Sequence, residues 1–185
     1  MDRFVVITGC SGGGKSTVLQ ELARRGYATV EEPGRRIVRE ELASGGQALP
    51  WIGGGLAFLR RAVEMSLADR AAAEALDGWV FFDRGLIDAA SGITMLTGEP
   101  ALPTLCGAHR YNRRVFMTPP WPEIYVTDAE RRHSLAEAEP EYHRVLADCS
   151  ALGYEPVILP KVSVAERCDL ILETLHAPPG GGTGR

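Results

Sequence analysis

The sequence predicts a single α/β domain, a doubly wound, mostly parallel sheet of about five strands with helices between them. Three observations lead there. Apolar runs of strand length alternate along the chain with amphipathic stretches of helix length. A glycine-rich segment, Gly9 to Ser16, joins the first strand-like run to the first helix-like one. The 185 residues suffice for one domain with a sizeable core, and no linker or internal repeat interrupts residues 1–176.

In chain order, Phe4-Val5-Val6-Ile7-Thr8 reads as a buried first strand. Ser16 to Arg25 follows as a helix with Val18, Leu19 and Leu22 on one face, and Gly26 suits its C-cap. Tyr27 to Glu31 reads as a second strand. Pro33 fits the first turn of a helix carrying Ile37, Val38 and Leu42. Ser44 to Gly55 is rich in Gly and Pro and reads as a loop, and a long helix spans about Leu56 to Leu76. Trp79-Val80-Phe81-Phe82 is the third strand, running straight into Asp83-Arg84-Gly85, and another helix starts near Leu86. Gly98 to Gly107 reads as a loop, Arg114-Val115-Phe116-Met117 as the fourth strand, and Glu141 to Leu152 as a helix. Pro156-Val157-Ile158-Leu159 is the fifth strand and Val164 to Leu175 the closing helix. The tail, residues 177–185, has the Pro- and Gly-rich composition of a disordered end.

Hydrophobic content of 45% and charged content of 24% are those of an ordinary globular protein. A formal net charge of -4 argues against a general nucleic-acid binder. No run approaches the roughly 18 apolar residues of a membrane span. The apolar run after Met1-Asp2-Arg3 is too short for a signal-peptide core. Cys10, Cys106, Cys149 and Cys168 are widely scattered, without C-x-x-C or zinc spacing, as expected of free thiols in a cytoplasmic protein.

The segment Gly9-Cys10-Ser11-Gly12-Gly13-Gly14-Lys15-Ser16 matches the full P-loop spacing, after a strand and opening a helix. Glycines let successive N–H groups turn toward phosphate oxygens, and the helix N-terminus adds partial positive charge. Lys15 is expected to bridge the β- and γ-phosphates and the Ser16 hydroxyl to ligate Mg²⁺. Thr17 adjoins the nucleotide and is not at the metal-ligating position. The loop alone does not separate kinases from other P-loop classes. A guanine-reading Asn-Lys-x-Asp segment is absent, and the chain has no room for the added domains of a motor or remodeller.

Two acidic clusters fall at the carboxyl ends of predicted strands, where open α/β sheets bind ligands. Asp83 is placed to act on Mg²⁺ directly or through water, or is a turn residue. Glu32 is a candidate base for a phosphoryl acceptor, or an acid placed to suit a helix dipole. Glu31 reads as a solvated charge. The segment Asp128-Ala129-Glu130-Arg131-Arg132-His133 is placed like an arginine-bearing lid that neutralises the moving phosphoryl group, or like a solvated helix start. Arg110, Arg113 and Arg114 form a further basic group, functional or structural.

With these motifs over nearly all of residues 3–176, the chain resembles a family of small AAA-type predicted ATPases or kinases. That family is similar to the nicotinamide-riboside kinase domain of the bacterial NAD regulator. The resemblance rests on the P-loop, Glu31-Glu32-Pro33 with Arg35-Arg36-Ile37, and Phe82-Asp83-Arg84-Gly85 with Asp88. It continues through Pro119-Pro120-Trp121, Ile124-Tyr125, Asp128 and Glu130-Arg131-Arg132 to Leu152-Gly153-Tyr154, Leu159-Pro160 and Glu166-Arg167. Glu32-Pro33 and Asp83-Arg84 more distantly resemble the Glu-Pro and Glu-Arg-Ser motifs of deoxynucleoside kinases. That likeness implies Glu32 as acceptor-side base and Arg84 as a phosphate-facing cation. Asp83 and Gly85 depart from it, standing where those kinases carry Glu and Ser.

The expected function is therefore Mg²⁺-dependent phosphoryl transfer from ATP or GTP to a small hydroxyl-bearing acceptor such as a nucleoside. The acceptor is expected between Glu32, Asp83 and residues 51–70. Arg84, Arg131 and Arg132 are expected to stabilise the transferring group. The other class of reading is a nucleotide-dependent binding module or switch with slow hydrolysis.

Overall fold

A computed structural model describes residues 3–125 and 135–177. Five parallel strands form one sheet: β1 Phe4–Gly9, β2 Ala28–Val30, β3 Val80–Asp83, β4 Arg114–Thr118 and β5 Glu155–Ile158. Their spatial order is β2-β3-β1-β4-β5. The α-helices among the described residues are α1 Lys15–Arg24, α2 Pro33–Ser44, α3 Gly55–Ala73, α4 Leu86–Thr97, α5 Ala101–Ala108, α6 Leu135–Ala151 and α7 Val164–His176. None is long and apolar enough to cross a membrane.

Alternate residues of β1 feed opposite faces of the sheet, as the two-residue period of a strand requires. Phe4 and Val6 join Val80, Phe82, Val115 and Met117 in one core, against α4 and α6. Val5 and Ile7 join Phe81, Phe116, Val18 and Ile171 in the other, against α1 and α7. Burial on both faces explains why the strands read as unbroken apolar runs. A third, smaller cluster of Ile37, Ala62 and Ala89 packs α2, α3 and α4 together.

The central strand β1 pairs with β3 on one side and β4 on the other. The chain winds away from it in both directions, so its carboxyl end opens into the crevice where such sheets take ligands.

Two expectations need correction. The stretch Gly98 to Gly107, expected as a loop, contains α5. Gly98 ends α4 with a left-handed φ of 73°. Leu102 and Cys106, one turn apart, then bury against the core. Tertiary packing makes a helix where the local glycines and prolines argued for none. The helix expected from Glu141 begins at Leu135, because Pro140 lies inside α6 rather than before it. Within the expected tail only Ala177 belongs to the described residues.

Candidate active site

At the end of β1, Gly9 takes φ 118°, and a Cβ there would overlap the Thr118 carbonyl oxygen of β4. Only glycine allows the phosphate loop to leave the sheet so close to its neighbour. The Cys10 N–H donates to Thr118 O at 2.9 Å and the Gly13 N–H to Cys10 O at 3.1 Å, which closes the loop. Gly14, at φ 86°, opens α1. The first backbone bond of that helix is Val18 N–H to Gly14 O. The N–H groups of Lys15, Ser16 and Thr17 therefore precede the helical ladder and remain donors for an anion.

Lys15 is 6% exposed, and its Nζ donates to Cys10 O at 3.2 Å. Burial lowers its pKa, as does the nearby Arg84, while Asp83 and Glu32 work the other way. The Thr17 hydroxyl donates to Gly14 O at 2.8 Å. The Cys10 thiol is buried, and burial pushes its pKa up, as fits a residue that fills space.

Asp83, the last residue of β3, is 5% exposed and accepts the Ser16 hydroxyl on Oδ2 at 3.3 Å. Among the described residues its buried Oδ1 has no hydrogen-bond partner. Burial, and then repulsion from Glu32, raises the Asp83 pKa from 3.8 to about 6, against the pull of Lys15 and Arg84. The folded protein thus binds this proton more tightly than the unfolded chain. The carboxyl costs no stability below the unfolded value, and the cost grows until the pH passes the folded one. Asp83→Asn is accordingly expected to melt a few degrees above wild type near pH 7.5 without ligand, with the gain vanishing near pH 4. Thermal melts at the two pH values measure this. A variant that melts lower near pH 7.5 would mean that the Ser16 bond outweighs the cost of the buried charge.

Arg84 follows with φ 60°, left-handed backbone that side chains rarely adopt. Its N–H donates to Ile7 O at 2.9 Å, which ties the turn to β1. The guanidinium sits among three carboxylates: Glu32 at 3.2 Å, Asp88 at 2.9 Å and Glu141 at 2.8 Å. Burial opposes its charge, yet these carboxylates, Glu141 foremost, hold its pKa well above the ordinary guanidinium value. Arg84 in turn holds Glu141 below the usual carboxylate range. Asp88 also accepts the Gly85 N–H at 3.0 Å and the Thr8 hydroxyl, so it serves as the N-terminal cap of α4. Glu32 is the N-cap residue of α2, directly before Pro33, and also pairs with Arg35 at 3.6 Å.

Two clefts open on this constellation. One, of about 440 Å³, runs along Lys15, Ser16 and Thr17 to Trp121, Val162 and Arg167. The other, of about 170 Å³, is walled by Val38, Trp51, Phe58, Leu59, Ala62 and Ser66 beside the Arg84 cluster. Ser11 and Glu32 line both, so the clefts meet there. The Trp51 wall lies beyond a loop pinned by Glu41, which accepts the Ala48 N–H at 2.8 Å and pairs with Arg61 of α3.

The phosphate-loop residues, Glu32, Asp83 and Arg84 thus gather at the carboxyl ends of β1, β2 and β3. Asp83 faces Ser16 and does not line the smaller cavity, which lies between Glu32 and α3. Arg131 and Arg132, with Asp128, Glu130 and His133, lie outside the described residues. Arg110, Arg113 and Arg114 stand at the opposite end of β4 and have structural partners: Tyr154, Glu155 and the Thr174 carbonyl. Sequence reasoning assigned no site role to Glu141, Thr118 or Arg167. Their link to the site is made across the sheet, and no local spacing announces it.

A family model described as an AAA domain matches residues 4–167. A nucleotide-binding protein of Granulibacter bethesdensis is 51% identical over 43 residues, 23% of this chain and 13% of that protein, so the matched segment spans a small part of that relative. Among solved structures, a NadR protein in complex with NR is similar, with a TM-score of 0.71, 20% identity, and coverage of 96% of this chain and 52% of that one. Deoxyadenosine kinase from M. mycoides with bound dATP is similar with a TM-score of 0.60, 14% identity, and coverage of 94% and 100%. Shikimate kinase from Acinetobacter baumannii in complex with shikimate gives 0.58, 16% identity, and coverage of 94% and 92%. The fold is that of P-loop kinases.

Proposed function

The chain belongs to this AAA domain family, and from that premise we propose that it is a kinase transferring the terminal phosphoryl group of ATP or GTP to a hydroxyl of a small metabolite such as a nucleoside. The observation that carries the reading is the meeting of the two clefts at Ser11 and Glu32. A donor on the phosphate loop and an acceptor in the smaller cavity would face one another across a carboxylate. A switch that only hydrolyses needs no second cavity there.

In this reading Lys15 and the free N–H groups of the loop hold the phosphates. Glu32, oriented by Arg84 at 3.2 Å, accepts the proton of the acceptor hydroxyl. Arg84, with Arg131 and Arg132 from the lid-like segment, places positive charge around the moving group. The acceptor rests on Trp51, Phe58 and Leu59. Three carboxylates, Glu32, Asp88 and Glu141, outnumber Arg35 and Arg84 around that cavity, which favours an uncharged acceptor over an already phosphorylated one.

The residues present suit Mg²⁺. The unpartnered Oδ1 of Asp83 and the Ser16 hydroxyl are hard oxygen donors side by side. Among the described residues no group of three His, Cys, Asp or Glu gathers to hold a metal, so nucleotide oxygens and water would complete the coordination. Bound there, the ion would neutralise charge on the β- and γ-phosphate oxygens.

ADP release, measured with and without each member of a library of hydroxyl-bearing metabolites, tests the proposal. At least one uncharged acceptor is expected to raise the rate and appear as a phosphorylated product. If none raises it, the kinase reading gives way to the slowly hydrolysing switch.

A further inference from the structure

Arg167 belongs to the first turn of α7, far in sequence from the phosphate loop, yet its side chain ends against it. Only 1% of the residue is exposed. Nη1 donates to the Gly13 carbonyl at 2.8 Å and Nε to the Pro160 carbonyl at 2.7 Å. The guanidinium lies over the Trp121 ring at 4.5 Å. No carboxylate pairs with it among the described residues, and Nη2 is buried without a partner.

We propose that Arg167 is a positioning residue for phosphate binding: it holds the Gly13–Gly14 peptide in the one orientation that offers the Gly14 N–H to a phosphate. The inference rests on the nucleotide site described above.

In a trans peptide the carbonyl and the N–H point in opposite directions, and no peptide among the described residues is cis. With the Gly13 carbonyl drawn to Arg167, the Gly14 N–H is turned to the opposite edge, where it makes no hydrogen bond among the described residues. Both flanking residues are glycine, so no side chain on the loop resists rotation of that peptide. A flipped peptide would present a carbonyl oxygen to the phosphates instead of a donor, exchanging an attraction for a repulsion. The restraint therefore has to come from outside the loop, and Arg167 supplies it.

The same side chain also sets a positive charge behind the loop. Its bonds go to neutral carbonyls, so among the described residues its charge has no counter-ion, and burial lowers its pKa. The phosphates of a bound nucleotide would supply that counter-ion.

The test is calorimetric binding of ADP and of inorganic pyrophosphate to wild type, Arg167→Met and Arg167→Lys, each checked for folding by circular dichroism. Arg167→Met is expected to weaken both ligands together by about 10- to 100-fold, the range for losing hydrogen bonds from a charged group. Arg167→Lys, which keeps the charge and one donor, is expected to recover part of the loss. A purely structural role would lower the melting temperature and leave the affinities of the folded variant unchanged. A folded Arg167→Met that binds pyrophosphate within about twofold of wild type overturns the inference alone.

Should Arg167→Met not fold, Arg167→Lys decides. A loss of about 3- to 10-fold for pyrophosphate supports the inference, and wild-type affinity overturns it. A wild-type protein that binds neither ligand removes this inference and the nucleotide site together. No acceptor enters the measurement, so failure to find one leaves the outcome untouched.

Discussion

Replacement of Lys15 by Ala is expected to erase the stabilisation of the protein by Mg-ATP while leaving the unliganded fold near wild-type stability. Among the described residues the Lys15 side chain makes one hydrogen bond, to the Cys10 carbonyl, and burial of its charge lowers its pKa. Removing it relieves that cost but also withdraws a positive neighbour from Asp83 and Glu32. The two effects oppose one another, so the melting temperature should move by no more than a few degrees. Binding has no such compensation, because in the proposed reading the amine is the point charge for the β- and γ-phosphates. At ligand about 100-fold above the dissociation constant, wild type should gain roughly 2.7 kcal/mol, or about 5 to 10 °C for a chain of this size. The variant should show little of that shift. An equal shift in both proteins would overturn the assignment of the phosphate loop.

The second large effect concerns Glu32. Glu32→Gln should lower acceptor-dependent turnover by about 10²- to 10⁴-fold and leave ATP binding intact. The carboxamide is nearly the same shape, so the start of α2 and the turn into Pro33 survive, while the proposed proton acceptor is lost. The geometry narrows the fallbacks. Asp88 is occupied by Thr8, the Gly85 N–H and Arg84, and Asp83 is aimed at Ser16 outside the smaller cavity. The measurement is ADP release with and without the best acceptor found for wild type. If Glu32→Gln responds to that acceptor as wild type does, Glu32 is not the base.

Much of the fold and the phosphate end of the site was legible because its determinants are local. Strand-length apolar runs identify β1, β3 and β4, since strands covered on both faces need apolar residues at every position. The P-loop can be read from eight consecutive residues because the phosphate cradle is built from consecutive backbone groups. Glu32 and Asp83 were visible for a related reason: each stands at the end of a strand, and strand ends collect at one edge of a parallel sheet.

The surroundings of the smaller cavity were less legible. The helix read from Glu141 begins at Leu135, so Glu141 stands within α6 and is set against Arg84. Gly98 to Gly107 read as a loop, although it contains α5, whose Leu102 and Cys106 are buried.

The sequence by itself determined the doubly wound α/β class, the phosphate loop, and the acidic residues placed near it. Tertiary structure alone decided that Arg84 is shared by Glu32, Asp88 and Glu141, that Arg167 reaches back to Gly13, and that two clefts meet at Ser11 and Glu32. The physical reason is range. Backbone cradles and buried strands are specified by neighbours in the chain, whereas ion pairs, cavity walls and carbonyl clamps join residues separated by as many as 154 positions. No periodicity in the sequence encodes such a contact; it exists only once the sheet has brought its ends together.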